Sequence, residues 1–208
     1  MKPSLLYIPD ISGFTKFVNE TEIEHSQHVI SELLELIIDS NELDMTVSEI
    51  EGDAILFYKY QDVPAMHKLL SQVRGMFLNF HNHLKQFEND RVCQCGACRA
   101  AVDLKLKIIM HSGELEFLNV KEHKKLFGSD TILAHRLLKN NIEENEYVLF
   151  PNNVFNETGE QDIKIFHDWA KVHSGKINYD ELGDIDFTYI PLKPLHKHVA
   201  LLPGTNTE

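Results

Sequence analysis

Ile8-Pro9-Asp10-Ile11-Ser12-Gly13-Phe14-Thr15 and Glu49-Ile50-Glu51-Gly52-Asp53-Ala54 are the two stretches whose reading decides the fold. Each places an acidic residue and a glycine-bearing turn at the end of a strand-like run. The first run, Leu5 to Ile8, reads as a buried strand, and the segment from Glu24 to Ile38 carries apolar residues at helical spacing, at Ile30, Leu33, Leu34, Ile37 and Ile38. A returning strand, Met45 to Ile50, turns at Gly52-Asp53 into Ala54 to Tyr58. A right-handed crossover from strand through helix to strand makes the first two strands parallel. The end of the first strand and the hairpin after the second then share one edge of the sheet, where Asp10 meets Asp53.

Two carboxylates at one sheet edge, beside a small-residue loop and a helix start, suit divalent cations that carry a phosphate chain. Magnesium prefers carboxylate oxygens together with substrate phosphates to a closed protein cage. The Ser12-Gly13 turn offers backbone amides to such phosphates. Taken one at a time, Asp10 also reads as a helix N-cap and Asp53 as an ordinary turn residue.

Four motifs in order resemble the class III nucleotidyl cyclase catalytic domain, the adenylate and guanylate cyclase family, over roughly Leu5 to Phe150. Asp10-Ile11-Ser12-Gly13-Phe14-Thr15 looks like the family's first metal motif, and Gly52-Asp53-Ala54 like its second. Lys107 to Glu114 is similar to the strand and turn that carry His-x-Gly, here His111-Ser112-Gly113. Leu126-Phe127-Gly128 followed by Ala134-His135-Arg136-Leu137 resembles the later loop and helix.

The resemblance implies an α+β fold, a ferredoxin-like βαββαβ antiparallel sheet with helices on one face, spanning 1–150. Residues 151–208 are expected to be a C-terminal β extension packed on the same domain. It further implies that Asp10 and Asp53 hold two magnesium or manganese ions about 3.5–4 Å apart. Ile11, Ser12, Gly13, Phe14 and Thr15 would cradle the phosphates, and Arg136 would meet charge developing at the α-phosphate. Glu49 stands where guanine-selective members read the base, since a carboxylate accepts from the two adjacent N–H groups of guanine. The implied partners are a nucleoside triphosphate and a second copy of the chain, because family sites combine the aspartates of one subunit with the arginine of the other.

This sequence also departs from the family pattern. Ile132 stands where the family places a ribose-orienting asparagine, and isoleucine cannot hydrogen bond. Lys125 stands at the second base-reading position, where it would pair with Glu49 or contact a phosphate. Glu116-Phe117-Leu118-Asn119-Val120 replaces the family's glycine-rich turn, and Lys176 is the candidate for its late phosphate-binding lysine. The chain therefore reads either as a cyclase or as a cyclase homology module without turnover.

Elsewhere, Pro64 to Phe87 has the apolar stripe of a second long helix, formed by Met66, Leu69, Leu70, Val73, Phe77, Phe80 and Leu84. Val102 to Met110 alternates like a half-buried strand, Asp130 to Leu138 reads as a third helix, Tyr147 to Phe150 as a strand, and Tyr179 to Ile190 as a closing hairpin or strand. The 208 residues are 43% hydrophobic, enough for a proper core. No run is long enough to span a membrane, and a cytoplasmic location is expected. A formal charge of −12 disfavours nucleic acid and anionic membranes as partners. The cysteines cluster as Cys93, Cys95 and Cys98; they read either as a zinc site completed by His81, His83 or His111, or as reduced thiols in a loop. His196 and His198 are read as solvated.

Overall fold

Leu5, Leu6, Tyr7, Ile8 and Ile11 have almost no exposed surface, so the first strand, β1 (Ser4–Ser12), is covered on both faces. It lies near the middle of a seven-stranded sheet in a computed structural model that describes residues 2–89, 100–152, 154 and 160–199. The chain leaves β1 through a short helix α1 (Phe14–Glu20) and a longer α2 (Ile23–Asp39), then returns as the hairpin β2 (Thr46–Glu51) and β3 (Ala54–Lys59). Helix α3 (Met66–Asn89) leads on to β4 (Lys105–Gly113). A separate two-stranded hairpin follows, β5 (Glu116–Val120) with β6 (His123–Phe127), and then helix α4 (Ser129–Leu137). Strand β7 (Tyr147–Pro151), a single-turn helix α5 (Glu160–Ile163), strands β8 (His173–Tyr179) and β9 (Gly183–Pro191), and a 3-10 segment Lys193–His198 complete the described chain.

The strand order is β2-β3-β1-β4-β7-β9-β8. β3 runs antiparallel to both β1 and β2, which makes β1 and β2 parallel with β3 between them, as the crossover reading required. β4 is antiparallel to β1 and parallel to β7, the one parallel pairing in a sheet otherwise built of antiparallel pairs. β9 and β8 continue this sheet beyond β7, and Leu192, Leu195 and Val199 enter the same core cluster as α3.

The alternation of side chains along strands assigns the two faces. Tyr7 and Ile11, then Leu106, Ile108 and Met110, then Val148 and Phe150 face the long helices α2 and α3. Their partners there are Val29, Leu33 and Ile37 of α2 and Leu69, Val73, Phe77 and Phe80 of α3, all fully or nearly fully buried. Each such side chain contributes on the order of 1.5–3 kcal/mol relative to remaining in water. The opposite face carries Leu6, Ile8, Ile109 and Leu149, and is covered in part by Ala134 and Leu137 of α4.

That second cover changes one expectation. Val102 to Met110 alternates in sequence as if half exposed, but the strand begins only at Lys105, after a 3-10 turn Ala101–Asp103. Ile109 and His111 on its second face are buried as deeply as Ile108 and Met110. The short helix α4 therefore lies on the second face while the long helices hold the first. Glu116 to Val120, read as a replaced turn, is a strand of the β5–β6 hairpin. Its Phe117 ring packs edge-on against Tyr58 at 5.7 Å and beneath the Lys124 ammonium at 3.7 Å.

Candidate functional site

Asp10 opposes Ala54 in the β1–β3 register, one residue from Asp53, and the Ile11 amide donates to the Asp53 carbonyl at 3.0 Å. Gly52 closes the β2–β3 hairpin at φ +62°, a left-handed conformation that costs glycine nothing. Gly13 opens α1 at φ +93° with Leu104 at ordinary contact distance, so backbone conformation rather than crowding favours glycine there. The Ile11 amide is thus already committed to the sheet. The amides of Phe14 and Thr15 precede the first bond of α1, Phe17 N–H to the Gly13 carbonyl, and belong to the helix's open first turn.

The nearest cation to the aspartates was not singled out from the sequence. Lys107 opposes Asp10 across the β1–β4 pair, and its Nζ lies 3.1 Å from Asp10 Oδ1, with the two side chains only 19% and 12% exposed. Burial pushes the Asp10 carboxyl above the usual range; the Lys107 ammonium pulls it down and Asp53 pushes it up, with a net rise. Burial likewise raises Asp53, against its own backbone amide and Lys107. One ammonium therefore leaves the pair of carboxylates undercompensated. The signal in the sequence was the even strand alternation of Lys105 and Lys107, which reads as solvent-facing until β1 is known to be the neighbour.

Glu49 lies on the edge strand β2, beside a bulge between Val47 and Glu49. Its carboxylate is 3.5 Å from Lys125 Nζ and 3.8 Å from His135 Nε2, and the other nitrogen of His135 is 3.7 Å from Glu51. The structure thus brings Glu49 and Lys125 together, as their pairing in sequence suggested, and adds His135 from α4. Ile132, on the same helix, is 52% exposed.

Arg136 turns to the C-terminal hairpin. Its guanidinium is 3.7 Å from Glu181, both side chains are well exposed, and they border a cavity of about 240 Å³ with Tyr179 and Asp180. The Tyr179 hydroxyl donates to the Arg136 carbonyl at 2.8 Å. Lys176 pairs with Asp184 at 2.8 Å on the outermost strands.

The His-x-Gly motif has a clear local structure. His111 Nε2 is 2.6 Å from Asp130 Oδ1, the Glu114 amide donates to Asp130 Oδ2 at 2.9 Å, and the Asp130 carboxylate fills the space that a Cβ at Gly113 would take. The hydrogen bond from His111 holds the Asp130 carboxyl below its usual range despite partial burial. This bond ties the start of α4 to β4 and fixes the helix that carries Ile132, His135 and Arg136. Cys93, Cys95 and Cys98 lie outside the described residues. Of the histidines expected beside them, His81 faces Glu146 at 2.7 Å, His83 faces Glu32 at 2.9 Å and His111 faces Asp130. His196 and His198, read as solvated, are paired instead with Glu146 at 2.7 Å and Asp168 at 3.2 Å.

Solved catalytic domains share this architecture. The adenylyl cyclase CyaB from P. aeruginosa superposes with a TM-score of 0.60 at 14% identity, over 91% of this chain and 93% of that one. Adenylate cyclases from Trypanosoma brucei in their monomeric state give 0.62 at 11%, over 91% and 88%. The guanylate cyclase domain of RhGC from Catenaria anguillulae in complex with GTP gives 0.57 at 17%, over 91% and 96%. At these identities the likeness is one of fold, and the fold is that of the class III nucleotidyl cyclase catalytic domains. In sequence the chain is 28% identical over 178 residues to the uncharacterized protein Rv2561/Rv2562 of Mycobacterium tuberculosis, covering 83% of this chain and 82% of that protein. Residues 30–147 match the model of a protein family described as "Protein of unknown function (DUF2652)", and the chain belongs to that family.

Proposed function

We propose that the chain is a nucleotidyl cyclase that converts a nucleoside triphosphate, GTP or ATP, to a cyclic nucleotide and pyrophosphate. The observation that carries this reading is the meeting of Asp10 and Asp53 at one sheet edge, two carboxylates raised by burial and balanced by a single ammonium. Such a donor set fits hard divalent cations, whose charge would relieve the mutual repulsion of the carboxylates. Bound there, two magnesium or manganese ions would neutralise the triphosphate and acidify the ribose 3′-hydroxyl.

The chain's own groups divide the remaining work. Asp10 and Asp53 bind from the sheet, and Lys107 releases Asp10 to meet a phosphate oxygen. The amides of Gly13, Phe14 and Thr15 orient the phosphates. The 3′-oxygen forms its bond to the α-phosphorus as the bond to the bridging oxygen of pyrophosphate breaks. In a homodimer, Arg136 of the partner subunit would meet the charge that develops on the α-phosphate, leaving its exposed pairing with Glu181. Glu49 accepts from the guanine edge, with Lys125 and His135 closing the base pocket.

A second reading, a catalytically inactive homology module that binds nucleotide or serves dimerisation, is favoured by Ile132. An exposed isoleucine cannot orient a ribose, and loss of orientation costs on the order of a hundredfold in rate. The test is cyclic-product formation by purified protein with manganese and either GTP or ATP, read by mass, beside calorimetry of nucleotide binding. Product that disappears in Asp53→Ala supports the enzyme, and Ile132→Asn should increase it. Metal-dependent binding without product, abolished in Asp10→Ala and Asp53→Ala, selects the module. Undiminished binding in both variants overturns the site.

A further inference from the structure

Across the sheet from Asp10, at the same end of the strands, lies a second cluster that the cyclase reading does not use. Glu146 immediately precedes β7, and the β4–β7 register brings this end of β7 beside Lys107. Alternation places Tyr147 on the Asp10 face and Glu146 on the face of the long helices. There Glu146 Oε1 meets His81 Nε2 of α3 at 2.7 Å, and Oε2 meets His196 Nε2 of the Lys193–His198 segment at 2.7 Å. Ligand atoms from all three residues lie within 4.8 Å of one another.

The contact with His196 is a hydrogen bond, but the contact with His81 is not. His81 Nε2 and Glu146 Oε1 are completely buried and close, yet the ring N–H does not point at the oxygen, so both atoms lack a hydrogen-bond partner. The side chains are 6% and 9% exposed, and burial without a hydrogen bond is unfavourable for each atom. An imidazole nitrogen and a carboxylate oxygen buried together without a hydrogen bond are donors that a cation would use. The rings of Phe77 at 4.3 Å and Phe80 at 5.2 Å support His81 and exclude water from that side.

We propose that His81, Glu146 and His196 form a divalent transition-metal site, of the kind zinc occupies, separate from the Asp10–Asp53 pair. Two imidazoles and one carboxylate are a recurrent zinc donor set, in which three protein ligands leave a fourth position open. Here that position faces a cavity of about 190 Å³ lined by His81, His196, Lys85 and Lys105. The lysines select water, hydroxide or a small anion as the fourth ligand and oppose a further cation. The site joins α3, the start of β7 and the C-terminal 3-10 segment, so a bound ion cross-links the end of the described chain to the core. Hard magnesium, which suits the all-oxygen pair on the other face, is the wrong ion for two nitrogens.

The test uses untagged full-length protein stripped by chelator, in a Cys93→Ser, Cys95→Ser, Cys98→Ser background that removes the competing thiols. Titration with zinc should give one equivalent bound. Affinity should fall at least tenfold in both Glu146→Gln and His196→Ala. Cobalt should give visible bands without the near-ultraviolet thiolate charge-transfer absorption. His196 is partly exposed, so its alanine variant is the one expected to fold normally, and a thermal melt verifies this. If the serine background does not fold, the cobalt spectrum of the unaltered chain still decides: a nitrogen–oxygen spectrum lost in His196→Ala supports the site, and a spectrum unaffected by His196→Ala overturns it. Absence of one-equivalent binding in a folded serine background also overturns it.

Discussion

The two faces of the sheet hold opposite electrostatic solutions within a few residues of one another. On one face Asp10 and Asp53 carry raised pKa values, so the folded chain holds their protons more tightly than the unfolded chain does. On the other face, burial pushes Glu146 up but its close contacts with the His81 and His196 rings outweigh it and leave it lowered, while His81 is lowered by burial. There the folded chain holds protons less tightly. The Asp10 face holds a site with too little positive charge; the face of the long helices holds a carboxylate clasped by two rings. The two faces of one sheet thus hold groups whose contributions to stability run in opposite directions with pH.

The largest effect that could break this comparison is expected from Phe77, whose ring contacts both His81 and His196 and lies in the main core. Phe77→Ala should destabilise the chain by about 3–5 kcal/mol. Denaturant unfolding measures it, and a loss under about 1 kcal/mol would mean that the histidine face is not anchored to the core as described.

Glu146→Gln should cost less, about 1–3 kcal/mol at neutral pH in chelator-treated protein, because a buried charge-assisted pairing is lost while an acceptor remains. The pH profile carries the sign. His81 has a lowered folded pKa, so stability falls as pH drops through the unfolded imidazole value of about 6.5. Glu146, also lowered, contributes stability above the unfolded carboxyl value of about 4.3 that is lost as pH falls further. Stability curves of the two proteins should therefore converge only below about pH 4.3, and curves that stay parallel below that pH would contradict the assignment.

Asp53→Asn should give the smallest change, with the opposite sign. A raised carboxyl contributes stability that is fully present below the unfolded value of about 3.9 and is lost as pH rises through its folded value. Removing the charge should stabilise the metal-free chain at pH 7 by a few tenths of a kcal/mol, since Asp53 is partly exposed and screened. The gain should vanish below about pH 4. Thermal melts across that range test it, and a destabilised asparagine variant at pH 7 would show that Lys107 overcompensates the pair.

What could be read from sequence follows from the range over which each signal acts. The strand ending at Asp10, the α2 and α3 stripes and the Gly52-Asp53 turn are set by neighbours within a few residues, through periodicity and turn stereochemistry. Even the meeting of Asp10 with Asp53 needed only one handed crossover between consecutive strands. Glu49 beside Lys125 was legible as a pair of opposite charges on elements that the motif order brings together.

The remainder depended on which strands become neighbours, and that is decided by hydrogen bonding between segments far apart in the chain. Lys107 is a solvent-facing lysine in sequence and becomes the partner of Asp10 because β4 lies antiparallel beside β1. His196 belongs to a polar-looking C-terminal segment, and it reaches Glu146 because β9 pairs with β7 and returns the chain over α3. The sequence by itself determined the first strands, the amphipathic helices and the acidic sheet edge, because each is encoded locally. The tertiary structure alone decided the ammonium at that edge and the His81–Glu146–His196 cluster, because a side chain's charge environment is set by whatever non-local element closes over it.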